Sequence, residues 1–574
     1  MRKTMLSALA VALLVGSAAQ ATAQEALKPM IVASFAGWQE MINDLDYVGE
    51  VSDNPDLGRG LEGLLTLITQ GQGLDWLDKT KPWGLAVSTD GLQFQFFAFA
   101  PIKDLDAFLD IISGVAGDPK EEPGDVWKVD IQSMSLYLKQ QGDWTFISLG
   151  SEFFLDLPED PTSLLTGLVG KYDVGARIYM NNIPEIFRQL IIEQIRLGME
   201  QGFEGQLSML PGGIGDNLPD LSSLGGGGAM QEQMQALMAQ MNFDAIAKAL
   251  NDTDELTVGM SIDRTAKKVT GDFTMTAVDG SGTVTELAQL SSVKTRFGGF
   301  LVPDAALSAN VAMPLSSGDI VQVRSSVESM RSDLVRRVDE AGGILGEDRI
   351  KDLLKTFIGD LFDVADRTID AGMIDVGVAM LGEGPHTLAL GGKVADGKRL
   401  QEVIDGMIDT IESEAGFYGF DRDYAEYKGV KFYKVDAPLP PDEIGDTLAS
   451  LFGTLRVVMG FSENAAYLGM GEDPLEAIKK AMDDSEASAD SNVPPLRATV
   501  KLGTLLKLMP AEGEQAASVK AAADALDGAD DRIDITMSSI ERGINIHFEG
   551  QEGLLKLFGV MLTSLGPGAG LPQF

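Results

Sequence analysis

Of the side chains that most often carry protons near neutral pH or hold transition metals, the chain has two histidines, His386 and His547, and no cysteine. The missing cysteines exclude disulfides, thiolate nucleophiles and Cys-ligated metals together. No Gly-x-Ser-x-Gly elbow sets a serine beside either histidine, and both fall in stretches that read as ordinary strand. Ser291-Ser292-Val293-Lys294 fits the Ser-x-x-Lys pattern of penicillin-interacting enzymes, but its companion motifs are missing. Leu390-Gly391-Gly392-Lys393-Val394 has the look of a phosphate loop. Thr387 occupies the place of its first glycine, however, and Val394 the place of the hydroxyl that would meet magnesium.

What remains is oxygen chemistry. Asp421-Arg422-Asp423 and Asn251-Asp252-Thr253-Asp254-Glu255 bring carboxylates close together, yet neither continues into the glycine and distal glutamate of a calcium loop, so each reads as a turn or helix cap. A glycosidase pair is defined by spatial separation, and 86 acidic residues leave any two unnameable. The reading therefore assigns no catalytic, cofactor-binding or metal-binding residue. The 25 methionines and 25 phenylalanines fill two cores or line an adaptable apolar groove.

The elements that would position such groups alternate between strand and helix periodicity. Trp83 to Phe99 reads as two strands about the turn Asp90-Gly91, followed by a helix with Leu105, Phe108, Leu109 and Ile112 on one face. Strands follow at Val126 to Ile131, Met134 to Lys139 and Trp144 to Leu149, then a helix after Asp160-Pro161.

The same order returns further along. Strands at Ile374 to Met380 and His386 to Lys393 precede a helix bearing Leu400, Val403, Ile404, Met407, Ile408 and Ile411. Phe432 to Asp436 then echoes Val126 to Asp130, and strands at Leu455 to Gly460 and Ala465 to Met470 lead into Asp473-Pro474 and a helix. Ala247-Lys248-Ala249-Leu250 before the strand from Leu256 matches Ala523-Asp524-Ala525-Leu526 before the strand from Ile533. Shared order makes duplication the better explanation of short matches. The expected fold class is α+β: two tandem related halves, each with largely antiparallel sheet and packed amphipathic helices.

The expected boundaries are a signal peptide over 1–23, a first half over 24–290, a second half over 291–565 and a flexible tail over 566–574. The first half carries a Gly-rich insertion at 205–230, read as a mobile surface loop. Met1-Arg2-Lys3, a short apolar stretch and Ala21-Thr22-Ala23 have the form of a secretory signal, too short to span a bilayer. A periplasmic or extracellular protein, without a transmembrane segment after cleavage, follows. A long helical region over Asp333 to Asp370 carries a core stripe of Ile350, Leu353, Leu354, Phe357, Ile358 and Leu361. The polar run from Asp483 through Asn492 reads as a loop. A net charge of −41 repels nucleic acid and anionic headgroups, so no nucleic-acid partner is expected.

Tyr172 to Pro184, with Phe187-Arg188-Gln189 and Asp254 to Gly259, resembles a family of uncharacterised exported proteins of planctomycete bacteria. That resemblance implies a compartment and an architecture, with no activity and no site residues to carry over. The expectation for function is a noncatalytic envelope protein that binds a partner protein or an apolar ligand, without a cofactor. The alternatives are an extracytoplasmic hydrolase using a carboxylate pair or a serine, and a structural or surface-assembly component.

Overall fold

Period-two burial makes the first strand legible: Met30, Val32 and Ser34 of Lys28–Phe35 are buried while their neighbours are half-buried or exposed. The computed structural model describes residues 28–564, apart from 194–242, 341–347, 509–513 and a few shorter stretches. The expected signal peptide, Gly-rich insertion, tail and Asp90-Gly91 turn lie outside the described residues.

Ten strands are β1 (Lys28–Phe35), β2 (Trp83–Thr89), β3 (Phe94–Ala100), β4 (Lys120–Glu122), β5 (Val126–Ile131), β6 (Met134–Gln141), β7 (Trp144–Ser148), β8 (Val174–Tyr179), β9 (Thr253–Asp263) and β10 (Lys268–Ala277). Ten more are β11 (Leu307–Pro314), β12 (Met373–Leu381), β13 (Thr387–Lys393), β14 (Phe420–Tyr427), β15 (Val430–Ala437), β16 (Leu455–Phe461), β17 (Ala465–Met470), β18 (Leu496–Lys501), β19 (Arg532–Ile540) and β20 (Gly543–Gln551). All pair antiparallel in one 20-stranded sheet. From one edge the paired order is β4-β5-β6-β7-β3-β2-β1-β8-β9-β10. It continues from β10 through β20-β19-β18-β11-β12-β13-β17-β16-β15-β14. The seam between the two runs is the β10–β20 pair, in register from Lys268 opposite Gln551 to Thr276 opposite Gly543.

The α-helices are α1 (Trp38–Val51), α2 (Leu57–Ile68), α3 (Leu105–Ala116), α4 (Phe243–Asp252), α5 (Gly282–Gln289), α6 (Ser317–Glu340) and α7 (Asp348–Asp370). They continue with α8 (Gly397–Thr410), α9 (Glu443–Phe452), α10 (Pro474–Glu486), α11 (Leu502–Leu508), α12 (Glu514–Ala525) and α13 (Glu552–Ser564). Aspartates start several of them by accepting an orphan amide: Asp104 from Ala107 N at 3.0 Å and Asp396 from Arg399 N at 2.9 Å. The fold is therefore α+β, with a large antiparallel sheet and helices packed on it. Among the described residues no helix is long and apolar enough to cross a membrane.

Phe99, Phe146, Leu165 and Leu168 anchor one core, and Phe297, Phe300, Phe432 and Ile478 another. A third lies beneath α7 and α8, around Val364, Leu400, Ile404, Ile408, Tyr433 and Phe461. Val48 of α1, Val269 of β10 and Leu555 of α13 pack together beside the seam.

The helical region from Asp333 to Asp370 comprises the end of α6 and all of α7, packed together, with 341–347 outside the described residues. Three local expectations need correction. The segment after Asp160-Pro161 is a single 3₁₀ turn over Pro161–Leu165, capped by Asp160. His386 is buried in the turn before β13, not in the strand, with Nδ1 2.9 Å from Gly382 O. Asp483 to Glu486 belong to α10 rather than to a loop: Ser485 is buried and accepts from Gly299 N at 2.9 Å, so a contact remote in sequence holds a polar helix end in place.

Candidate functional site

The apolar stripe of α7 divides between core and open wall. Ile358 is buried, and Phe357 and Leu361 pack on the core beneath α7 and α8. Leu353, Leu354 and Phe357 also face Val403 and Met407 of α8 and Ile411 just beyond it, across a groove of about 300 Å³. At its rim Arg399 bonds Asp360 at 2.9 Å and Glu402 at 3.4 Å. The hydroxyls of Thr356 and Thr410 donate to their own helices, at 2.8 Å to Asp352 O and 2.9 Å to Gly406 O. The walls thus present aliphatic and aromatic surface with its polar groups already bonded. Such a surface binds by area removed from water, at roughly 25 cal/mol per Å².

A second concavity, about 800 Å³, lies where the segment before β11 crosses the ends of β12 and β13. Both motifs set aside in the sequence meet here: Ser292 and Lys294 line it from one side, Lys393 from the other. At its floor Asp375, 4 % exposed, accepts from Thr295 Oγ1 at 2.6 Å and Arg296 N at 3.0 Å. Burial raises the Asp375 pKa, against the lowering pull of those bonds and of the Lys393 and Arg296 charges. Asn310, fully buried, donates to Thr295 Oγ1 at 3.0 Å and Val376 O at 2.9 Å. Sequence reading missed Thr295, Arg296, Asn310 and Asp375. The one available signal was an aspartate at an inward position of the apolar run Met373 to Leu381.

The remaining candidates are spent structurally. His547 sits on β20, its Nδ1 2.9 Å from Asp272 Oδ1 on β10. Asp272 also accepts from Tyr172 Oη at 2.9 Å and pairs with Lys171 at 3.3 Å. Asp252 accepts from Thr283 Oγ1 at 2.6 Å, Asp254 from Asn181 at 2.7 Å, and Asp421 from Asp423 N at 3.2 Å. Glu40, Asp44 and Asp173 bring carboxylate oxygens within 4.8 Å of one another. Arg264 bridges Glu40, at 2.7 Å, and Asp44, while Asp173 accepts from Ile262 N at 2.7 Å. Burial first, then the Asp173 charge, pushes the Asp44 pKa up to about 7.

Comparison with family models, with curated proteins and with solved structures finds no match to this chain.

Proposed function

We propose that the chain is a noncatalytic exported binding protein, built of two tandem related halves, that takes an apolar ligand between α7 and α8. The observation that carries the reading is the groove itself: its size lies at the lower end of small-molecule sites, and its walls are Leu353, Leu354, Phe357, Val403, Met407 and Ile411. Met407 supplies a flexible, polarisable wall that adapts to ligand shape. Phe99, Phe146, Phe297, Phe300 and Phe432, by contrast, are buried in the cores.

Strand order supports the duplication. Raising each number in the run β4-β5-β6-β7-β3-β2-β1-β8-β9-β10 by ten gives the run from β14 to β20. Helices recur between equivalent strands: α1 and α2 after β1 match α6 and α7 after β11, and α3 after β3 matches α8 after β13. The signal-like first residues support export, and with the Tyr172 to Pro184 stretch support kinship to exported planctomycete proteins.

Binding is tested with the neutral fluorophore N-phenyl-1-naphthylamine. The full chain raises its emission on saturable binding, and Met407→Asp abolishes the rise while leaving the circular dichroism spectrum unchanged. Equal emission with both proteins overturns the groove.

A further inference from the structure

The hollow where the segment before β11 crosses β12 and β13 concentrates positive charge in a chain of net −41. Lys294, Arg296 and Lys393 line it, and among the described residues none of the three has a carboxylate within ion-pairing distance. Asp375, the only carboxylate on its described walls, is buried at the floor and satisfied by Thr295 and Arg296 N. Three unpaired cations against one carboxylate leave the walls about two charges positive. Several other cations of the fold are paired: Lys428 with Asp483 and Glu486, Arg456 with Asp436, Arg422 with Asp409 and Glu412.

The adjoining hollow, about 480 Å³, shares Arg296 and Asn464 but adds Glu463, Glu486 and the already paired Lys428. Lys294 and Lys393 line the larger space alone, and Arg296 stands between the two. That space, about 800 Å³, exceeds what a bare inorganic ion fills. The backbone under Arg296 is fixed by the Asp375 bond, and Thr295 is fixed by both Asp375 and Asn310, so the stretch that carries Lys294 and Arg296 is anchored at the floor.

We infer that Lys294, Arg296 and Lys393 form a binding site for a small organic anion carrying two or more negatively charged oxygens, a phosphate ester or a polycarboxylate. This site is separate from the groove between α7 and α8 and stands or falls independently of it. Arg296 offers the planar donor fork that matches such oxygens in pairs, and the two lysines add point charges.

Titration calorimetry of the full chain with pyrophosphate and with citrate, at low ionic strength, tests it. Wild type binds at least one of the two probes saturably, and the preferred probe separates phosphate from carboxylate recognition. Arg296→Met and Lys393→Met each weaken binding about tenfold or more, roughly the loss of one charge-assisted contact. Lys103→Met, which removes the same charge from the segment between β3 and α3, leaves the affinity unchanged, and unfolding midpoints confirm that all variants fold. Absence of binding by wild type, or equal weakening by all three substitutions, overturns the site.

Discussion

Asp272 and His547 stand opposite each other in the β10–β20 register, their carboxylate Oδ1 and imidazole Nδ1 2.9 Å apart across the seam that joins the two runs of strands. Tyr172, 5 % exposed, reaches the other oxygen of Asp272 from the far side of β9, its ring lying over Gly259. A methyl at Gly259 would sit 2.3 Å from that ring, so the glycine is what admits the tyrosine. Two separate stretches of chain, around Tyr172 and around His547, converge on one carboxylate.

That carboxylate is a tie across the seam. Burial alone would raise the Asp272 pKa, but bonds from His547 and Tyr172 and the Lys171 charge bring it below its ordinary value. A lowered carboxyl pKa gives stability that is present above the unfolded value, near 3.9, and is lost as pH falls through the folded value. Asp272→Asn is expected to cost about 1–3 kcal/mol at neutral pH. The difference from wild type shrinks in acid, and urea unfolding at both pH values reads it.

Asp44 behaves oppositely. Its carboxyl, pushed up to about 7 from 3.8, binds a proton in the folded chain while the unfolded chain is already ionised. Stability therefore falls as pH rises from 3.8 towards about 7 and levels off above it. Asp44→Asn removes this slope, so thermal melts of variant and wild type should diverge with rising pH across that window and run parallel beyond it.

Gly299 permits the closest approach between the segment before β11 and α10: an added methyl would meet Ala481 O at 2.2 Å and Ser485 N at 2.4 Å, both backbone. Neither can move without shifting the helix. Gly299→Ala is expected to destabilise by about 3 kcal/mol, at the upper end for overpacking, measured by denaturant midpoint.

Elements with sharp alternation between turn residues were legible in the sequence. Trp144 to Ser148 is bounded by Gln141-Gly142-Asp143, where Gly142 takes a φ of 61° that only a turn glycine adopts readily. Of the central strands, β19 was read from Ile533, where Ile533, Ile535 and Met537 alternate with polar residues; β10 was passed over although Val269, Phe273 and Met275 alternate in the same way. The first part of α6 escaped because its polar residues run all round the helix. Asp483 to Glu486 were misread because their helix is held by Ser485 meeting Gly299, a contact that spacing cannot show. At the sites, the stripe Leu353, Leu354 and Phe357 was visible as an amphipathic face, but the meeting of Lys294 with Lys393 depends on strand pairing.

The measurement that bears most directly on the groove is native mass spectrometry of the protein, purified gently from its native source, before and after organic extraction. The reading predicts a bound apolar molecule that is lost on extraction and missing from Met407→Asp prepared in the same way. An unliganded mass before extraction, or a bound molecule retained by Met407→Asp, contradicts it.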